Sequence, residues 1–164
     1  MPSPTTVEFL EKLQSTPVGL AVGETWFPFI ESLHVIAVAV VTGTIFIVDT
    51  RLLGLASTKL PFSYVSDRML PWTWGAFVCA VITGTLMFVG NPVSYYENNP
   101  FRVKLVLLVL AGLNMLFFQL VTFRTVAAWD ATRPPPAARL AGVFSIALWC
   151  AVIGFGRWIG FVLG

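Results

Sequence analysis

Four long stretches of apolar residues constrain this chain more than any other feature of its sequence. They lie at residues 27–48, 70–90, 103–123 and 142–163. As an α-helix each stretch is about 30 Å long, which matches the hydrocarbon core of a bilayer. The charged residues and histidines within them are limited to Glu31, His34, Lys104 and Arg157. The sequence therefore predicts four transmembrane helices.

The composition excludes the soluble classes of protein. The chain is 57% hydrophobic and only 11% charged, whereas a soluble domain carries roughly 25% charged residues. Its mean hydropathy is +0.82, and a chain of 164 residues has too little interior to bury that much apolar surface. A net charge of +2 is too small for a nucleic-acid-binding surface, so we expect no nucleic-acid partner. We predict an all-α membrane protein whose four helices form a bundle.

Residues 1–25 precede the first stretch and are too polar to span. Val7, Leu10 and Leu13, together with Phe9, give this segment one partly apolar face. Such a pattern predicts a short helix that lies on the outer membrane surface, with packing against the bundle as the alternative. Residues 26–164 then form the transmembrane domain.

The distribution of lysine and arginine predicts the orientation. The connectors after the first and third spans carry six basic residues, and the opposite side carries three. The positive-inside rule places the six in the cytoplasm. We therefore expect a multi-pass protein of the bacterial inner (cytoplasmic) membrane, with both termini in the periplasm. The six are Arg51, Lys59, Arg68, Arg124, Arg133 and Arg139, and the three are Lys12, Arg102 and Lys104.

The ionisable residues inside the spans are the candidate site. Glu31 and His34 are three apart and share one helix face, and Lys104 and Arg157 lie at a similar depth. One interpretation is an ion pair between Glu31 and Arg157, with His34 hydrogen-bonded beside it. The other is a ligand or proton site, in which His34 titrates and Arg157 holds an anion or a quinone carbonyl. Two ligands are too few for a metal, so we predict none.

Further polar residues lie toward the opposite side. Asp49 and Arg51 stand where the first span is expected to leave the membrane on its cytoplasmic side. Asn114 lies in the middle of the third span, with Gln119 further along it. We expect the Asn114 amide to form an interhelical hydrogen bond, and its candidate partners are Thr42, Thr83 and Ser145.

The single histidine limits the cofactors that the chain can hold. A bis-histidine b-haem needs two histidines, so Met87 or Met115 would have to supply the second axial ligand. We therefore leave b-haem and quinone as candidate cofactors. The sequence offers no nucleophile–base pair and no three-ligand metal set. We predict no catalytic residues and no enzymatic activity.

Several short motifs resemble one known family. The chain resembles the uncharacterised bacterial four-helix membrane family DUF6644 (domain of unknown function 6644), which implies a four-helix membrane fold and no established activity. That family often has His after the Asn-x-x-x-Phe of its third span, where this chain has Gln119, and the difference weakens a two-histidine cofactor site. The matching motifs are ESLH at 31–34, VDTRLLGL at 48–55, LPW at 70–72, GTLMF at 84–88, YENNPFRVK at 96–104, AGLN at 111–114 and GR at 156–157.

Two classes of function fit these features. The first is a non-enzymatic membrane subunit or anchor, associated with quinone or redox partners, because the connectors between the spans are short. The alternative is a small oligomeric transporter or channel with a proton or anion site at Glu31, His34 and Arg157. Besides the lipid bilayer, we expect a second copy of the chain or a membrane complex as the partner.

Overall fold

The computed structural model describes residues 4–163, and it is 89% helical with no strand in that range. A π-helical segment at Val22–Trp26 joins α2 to α3, and a π-helical segment at Phe118–Thr122 with a 3-10 turn at Phe123–Thr125 joins α6 to α7. The helices are α1 (Pro4–Gln14), α2 (Pro17–Ala21), α3 (Phe27–Leu53), α4 (Phe62–Gly90), α5 (Pro92–Glu97), α6 (Asn99–Phe117), α7 (Val126–Trp129) and α8 (Pro136–Leu163).

Four helical segments are long and apolar enough to cross a membrane. They are Pro17–Leu53, Phe62–Gly90, Asn99–Trp129 and Pro136–Val162. The prediction of four spanning helices is confirmed, and the chain is a multi-pass membrane protein. Each segment extends beyond the apolar stretch that predicted it, because a helix continues into the polar connectors as long as capping and packing stabilise it. The proline at 71 consequently lies inside α4 and not at its start.

The outward faces of the spanning helices are apolar. Many large aliphatic side chains remain exposed there, among them Val35, Ile82 and Val109. In water such a surface would aggregate, whereas lipid tails solvate it as well as a protein interior does. The exposed apolar belt therefore agrees with a surface that faces lipid.

The four spanning helices form a bundle with one open side. Helix α3 packs against α4 and α8, and α6 packs against α8. The backbones of α4 and α6 do not pack closely against each other, although the rings of Phe88 and Phe101 stack across this side with centroids 5.8 Å apart. We call this open side the α4–α6 gap. We refer to the end of the bundle that carries α1, α2 and α5 as the α5 end, and to the opposite end as the α7 end.

An aromatic core closes the α7 end. Phe62 is 0% exposed and packs with Leu52, Trp129 and Ala138. Its ring centroid lies 5.8 Å from that of Phe118, 6.3 Å from that of Phe123 and 5.4 Å from that of Trp129. These rings come from α4, the segment after α6, and α7, so one side chain ties three separate parts of the chain together.

Arg51 joins this core to the connectors around it. Its side chain is 1% exposed. The Nε atom donates to the Leu60 carbonyl at 2.8 Å, and Nη2 donates to the Asp130 carbonyl at 3.1 Å. Just beyond it, Gly54 ends α3 in the left-handed conformation with φ of 73°. The predicted motif at Asp49 and Arg51 thus includes a buried arginine that holds two connectors in place.

Asp130 caps α4 from a distant part of the chain. The residue before α4 is Pro61, which has no side chain that could cap the helix. The Asp130 carboxylate instead accepts hydrogen bonds from the Ser63 backbone N–H at 2.7 Å and from the Ser63 hydroxyl at 2.6 Å. Its backbone carbonyl also accepts the Phe62 N–H at 2.9 Å. The start of α4 therefore depends on a tertiary contact.

This cap predicts a pH dependence of stability. The Ser63 hydroxyl and backbone N–H lower the pKa of the Asp130 carboxyl below its ordinary value of 3.8. The folded state then binds the proton more weakly than the unfolded chain, so the stabilisation is present above that value and is lost as the pH falls through the folded pKa. We expect the thermal midpoint in detergent to fall modestly between about pH 5 and about pH 3.

The thermal midpoint of the Asp130→Asn variant should depend less on pH than that of the wild type, because its amide does not titrate. Asp67→Asn, in which an exposed carboxyl is removed from the same helix, is the control and should keep the dependence of the wild type. Equal pH profiles for the wild type and Asp130→Asn would contradict the prediction.

The N-terminal helix contacts the α5 end of the bundle. Helix α1 packs against α5, and Leu10 on its inner face is buried. Phe9 on the other face is 65% exposed. Helix α1 therefore contacts the bundle on one face and exposes apolar side chains on the other. This is consistent with the predicted N-terminal helix, and its position on the membrane surface stays a prediction. Residues 17–26 are continuous with the first span and do not form a separate unit.

Candidate functional site

Two cavities follow one another along the interior of the bundle. The α5-end cavity has a volume of about 680 Å³ and the α7-end cavity about 480 Å³. Every spanning helix lines both, and both are open rather than sealed. Between them lie four apolar residues that line both cavities, one from each helix, and we call these the divider. The divider consists of Val41, Phe77, Leu108 and Trp149.

The α5-end cavity contains most of the ionisable residues that the sequence singled out. Glu31 and His34 line it from consecutive turns of α3, and Lys104 lines it from α6. The end of the Lys104 side chain lies over Gly156 of α8, where an added Cβ would be 3.6 Å from Nζ. Three of the four predicted cluster residues therefore share one cavity.

His34 is held by a hydrogen bond to α4. Its Nδ1 lies 3.0 Å from the Thr83 hydroxyl oxygen. That hydroxyl donates its own proton to the Cys79 carbonyl at 2.7 Å, so it accepts from Nδ1–H of the imidazole. The Ala80 backbone carbonyl is a further hydrogen-bond partner of the imidazole. The tautomer inferred from the Thr83 contact has its proton on Nδ1 and leaves Nε2 as an acceptor. His34 thus offers one acceptor ring nitrogen in a cavity-lining side chain.

Gly84 makes room for the imidazole ring. A Cβ at this position would lie 3.1 Å from Cε1 of His34, which is closer than ordinary van der Waals contact. The ring therefore lies against the backbone of α4, one residue after the threonine that orients it. The GTLMF motif at 84–88 begins at this contact, and the sequence alone did not reveal its purpose.

Arg157 lies outside the cluster. Its side chain is exposed on α8, with the guanidinium carbon 4.9 Å from the ring centroid of Phe161. The residues of α8 that line the cavity include Val152, Gly156, Ile159 and Gly160. Arg157 is not among them: it is rotated about 100° from Gly156 around the helix, and its Nη1 lies 4.0 Å from the position of an added Cβ at Gly160. Arg157 and Glu31 do not form the ion pair that we predicted. The two residues lie at a similar depth in the bundle, but their side chains point in different directions.

Tyr95 is a member of the site that the sequence analysis missed. It lies on α5, lines the cavity and is buried. Burial raises its pKa to about 12, and the negative charge of Glu31 contributes in the same direction. The phenol therefore stays neutral at physiological pH and keeps its proton as a hydrogen-bond donor. Its aromatic neighbours are Phe88 and Phe101.

The interhelical bond of Asn114 has a different partner from those predicted. Its Nδ2 donates to the Ala141 backbone carbonyl on α8 at 3.1 Å. Thr42 bonds to the Val38 carbonyl of its own helix, and Thr83 is engaged by His34. The close packing of α6 on α8 brings a backbone carbonyl within reach, which sequence spacing could not reveal.

Asp49 and Gln119 line the α7-end cavity and not the α5-end cavity that contains Glu31 and His34. Asp49 is only 5% exposed, although it is near the end of α3. Its carboxyl interacts with the Ser145 hydroxyl, and its Oδ2 has no hydrogen-bond partner among the residues described. Gln119 and Asn114 contribute amides to the same cavity.

The two methionines considered as haem ligands lie in different cavities. Met87 lines the α5-end cavity together with His34, whereas Met115 lines the α7-end cavity. Of these two methionines, therefore, Met87 is the one that could supply the second axial ligand of a haem bound to His34. Over residues 4–163, no three His, Cys, Asp or Glu side chains come together as a metal site.

The comparison with family models identifies the group to which this chain belongs. The model of DUF6644 matches residues 7–162. The chain belongs to DUF6644, a family of unknown function. The DUF6644 match includes all four spanning helices and every residue that lines either cavity, so both cavities belong to the part of the chain that defines the family. No curated protein and no solved structure matches the chain.

Proposed function

We propose that this DUF6644 protein is a non-enzymatic membrane subunit that binds a lipophilic molecule of the quinone class in its α5-end cavity. The Nε2 acceptor of His34, in a cavity otherwise lined mainly by apolar and aromatic side chains, is the observation that carries the proposal. The volume of about 680 Å³ lies in the range of small-molecule sites, which are typically about 300–1,000 Å³.

The polar groups of the cavity suit both redox forms of such a head group. A quinone has two carbonyl acceptors, and Lys104 and Tyr95 supply donors. A quinol has two hydroxyl donors, and Nε2 of His34 and the Glu31 carboxylate supply acceptors. A subunit that holds both forms can deliver or store the carrier without performing the oxidation itself.

The open side of the bundle provides a route from the bilayer. Because the backbones of α4 and α6 do not pack closely against each other, a head group can enter between them by displacing the stacked rings of Phe88 and Phe101, while its isoprenoid tail remains among the lipid chains. The aromatic side chains at the α5 end offer stacking surfaces for the ring. They include Phe77, Phe88, Phe101 and Trp149.

The basic residues support a location and an orientation. With six of them at the α7 end, the positive-inside rule favours a bacterial cytoplasmic membrane in which both termini face the periplasm. The α5-end cavity then lies in the outer leaflet. Short connectors between the spans favour a partner that carries the redox centre, either a membrane complex or an assembly that includes a second copy of this chain.

Quinone titration of the purified full-length protein in lipid nanodiscs tests the proposal. We expect saturable binding of a short-tail quinone, measured by quenching of tryptophan fluorescence and by equilibrium dialysis. His34→Leu should weaken this binding by about tenfold, because a buried hydrogen bond is lost. Arg157→Leu, at the same depth but outside the cavity, is the matched control and should bind like the wild type.

Two results would contradict the proposal. One is the absence of saturable binding by the wild type, and the other is an equal loss in His34→Leu and Arg157→Leu. An absorption spectrum of the same preparations, oxidised and dithionite-reduced, separates a quinone from a haem, because only haem gives a Soret band. A Soret band that disappears in both His34→Leu and Met87→Leu would replace the quinone with haem as the occupant.

The alternative proposal is a small transporter or channel. It is supported by the alignment of the two cavities along the bundle, with only the four apolar divider residues between them. In that case the divider is the gate, and Glu31 and His34 carry the proton or anion on one side of it. Proton flux into liposomes that contain the protein, above that of protein-free liposomes, would favour this function over the carrier-binding one.

A further inference from the structure

The α7-end cavity contains a carboxyl group without a counterion among the described residues. Asp49 is 5% exposed, lines the cavity, and has no hydrogen-bond partner at Oδ2 within that part of the chain. Arg51 is only two residues away in sequence, but its guanidinium is bonded to the carbonyls of Leu60 and Asp130. It is therefore engaged elsewhere in the connector network.

The polar groups that line this cavity are acidic or neutral. Helix α4 contributes the carboxyl of Asp67, α6 contributes the amide of Asn114, the π-helical segment after α6 contributes the amide of Gln119, and α8 contributes the hydroxyl of Ser145. Lysine, arginine and histidine are absent from the lining within residues 4–163. An unpaired carboxylate is costly in such surroundings. The group is therefore either a neutral acid or the partner of a positive charge that comes from outside the chain.

The remaining walls favour an organic cation over a metal ion. They are rich in aromatic rings, whose negative faces attract cations, and no three His, Cys, Asp or Glu side chains come together as a metal site among the described residues. A volume of about 480 Å³ accepts a bulky organic ion. The rings belong to Phe62, Trp74, Phe77, Phe118, Phe123 and Trp149.

We propose that the α7-end cavity binds a lipophilic organic cation, of the quaternary ammonium or phosphonium type, through the Asp49 carboxylate. Without the cation, Asp49 is the neutral acid. When the cation enters, the carboxyl O–H bond breaks, the proton passes to water, and the carboxylate pairs with the cation. One proton is released for each cation bound, and no electrons are transferred. This site is separate from the cavity of the proposed quinone.

The test uses two probes of the same shape and opposite charge. Tetraphenylphosphonium and tetraphenylborate are titrated separately into the full-length protein in nanodiscs of neutral lipid, with empty nanodiscs subtracted. We expect saturable binding of tetraphenylphosphonium alone, with a change in the fluorescence of Trp74 and Trp149. Calorimetry in two buffers of different ionisation enthalpy should show about one proton released per cation.

Three variants identify the site. Asp49→Asn should weaken tetraphenylphosphonium binding at least about tenfold and abolish proton release, because the amide cannot supply a charge. Glu97→Gln removes an exposed carboxyl at the opposite end of the bundle, outside this cavity, and should bind within about twofold of the wild type. Gly112→Leu fills a lining position where an added Cβ meets no atom within 4 Å, and should block binding while Asp49 is unchanged.

The outcomes are decisive. The proposal is overturned if the wild type binds neither probe, if it binds both equally, or if Asp49→Asn binds like the wild type. Should Asp49→Asn fail to fold, loss of binding in Gly112→Leu supports the proposal and retention overturns it. Because His34→Leu leaves this cavity intact, it should bind the cation normally, so failure of the quinone proposal and failure of this one are distinguishable.

Discussion

Replacing Arg51 with Met is expected to lower the free energy of unfolding by about 2–4 kcal/mol. The side chain is 1% exposed, and its guanidinium bonds to carbonyls of two different connectors. Methionine fills much of the same space but donates no hydrogen bond. The Leu60 and Asp130 carbonyls would each lose a donor, and the connectors before α4 and after α7 would lose their common anchor.

The Arg51 prediction is checked by thermal unfolding in detergent, followed by circular dichroism and by the fraction that elutes as a monodisperse species. Arg133→Met is the matched control, because Arg133 is exposed on the connector at the same end of the bundle, and it should change stability by less than about 0.5 kcal/mol. Arg51→Lys should recover only part of the loss, since one ammonium cannot reproduce the planar fork of the guanidinium. Equal stability of Arg51→Met and Arg133→Met would refute the anchoring role.

Replacing Phe62 with Ala should cost about 3–5 kcal/mol. Phe62 is 0% exposed and its ring contacts the rings of Phe118, Phe123 and Trp129. Truncation would leave a cavity among these rings, because α4 and α7 are held in place by the Arg51 and Asp130 contacts and the site cannot collapse fully. Part of this loss of stability comes from lost packing contacts, which do not depend on transfer out of water. We therefore expect it also for a side chain at the membrane boundary.

The control for Phe62 is a phenylalanine with a lipid-facing side chain. Phe117 is exposed on α6 near the same end, and Phe117→Ala should have a much smaller effect because lipid fills the space that the ring leaves. Phe62→Leu should lie between the wild type and Phe62→Ala. Unfolding midpoints of the four proteins in one detergent test this order, and a Phe117→Ala loss as large as that of Phe62→Ala would contradict it.

The helices of this protein could be predicted from sequence because partition into a bilayer depends on local properties. Length and apolar composition are set residue by residue, so the stretches at 27–48, 70–90, 103–123 and 142–163 each coincide with a spanning helix. The ends of the helices were less predictable. Helix α4 begins at Phe62 because Asp130 caps it from a connector more than sixty residues away, and no window of sequence around 62 contains that information.

The candidate site also combines features that the sequence predicts with features that depend on tertiary packing. Depth in the membrane follows from position within a span, and depth is enough to group Glu31, His34 and Lys104 from the sequence alone. The direction in which each side chain points depends on how a helix is rotated against its neighbours. That rotation leaves Arg157 over Phe161 on the outer face of α8 and turns Asn114 toward the Ala141 carbonyl.

Local sequence properties were therefore enough to predict the class of the protein, the number of spanning helices and the layer in which the ionisable residues lie. Which residues contact one another depends on how the helices pack. The packing of the helices encloses two cavities between all four spans, places Tyr95 and Glu31 in one of them, and engages Arg51 away from Asp49. The physical reason is that hydrophobic partition acts on each segment alone, whereas rotation and contact arise from the mutual packing of segments that are distant in the chain.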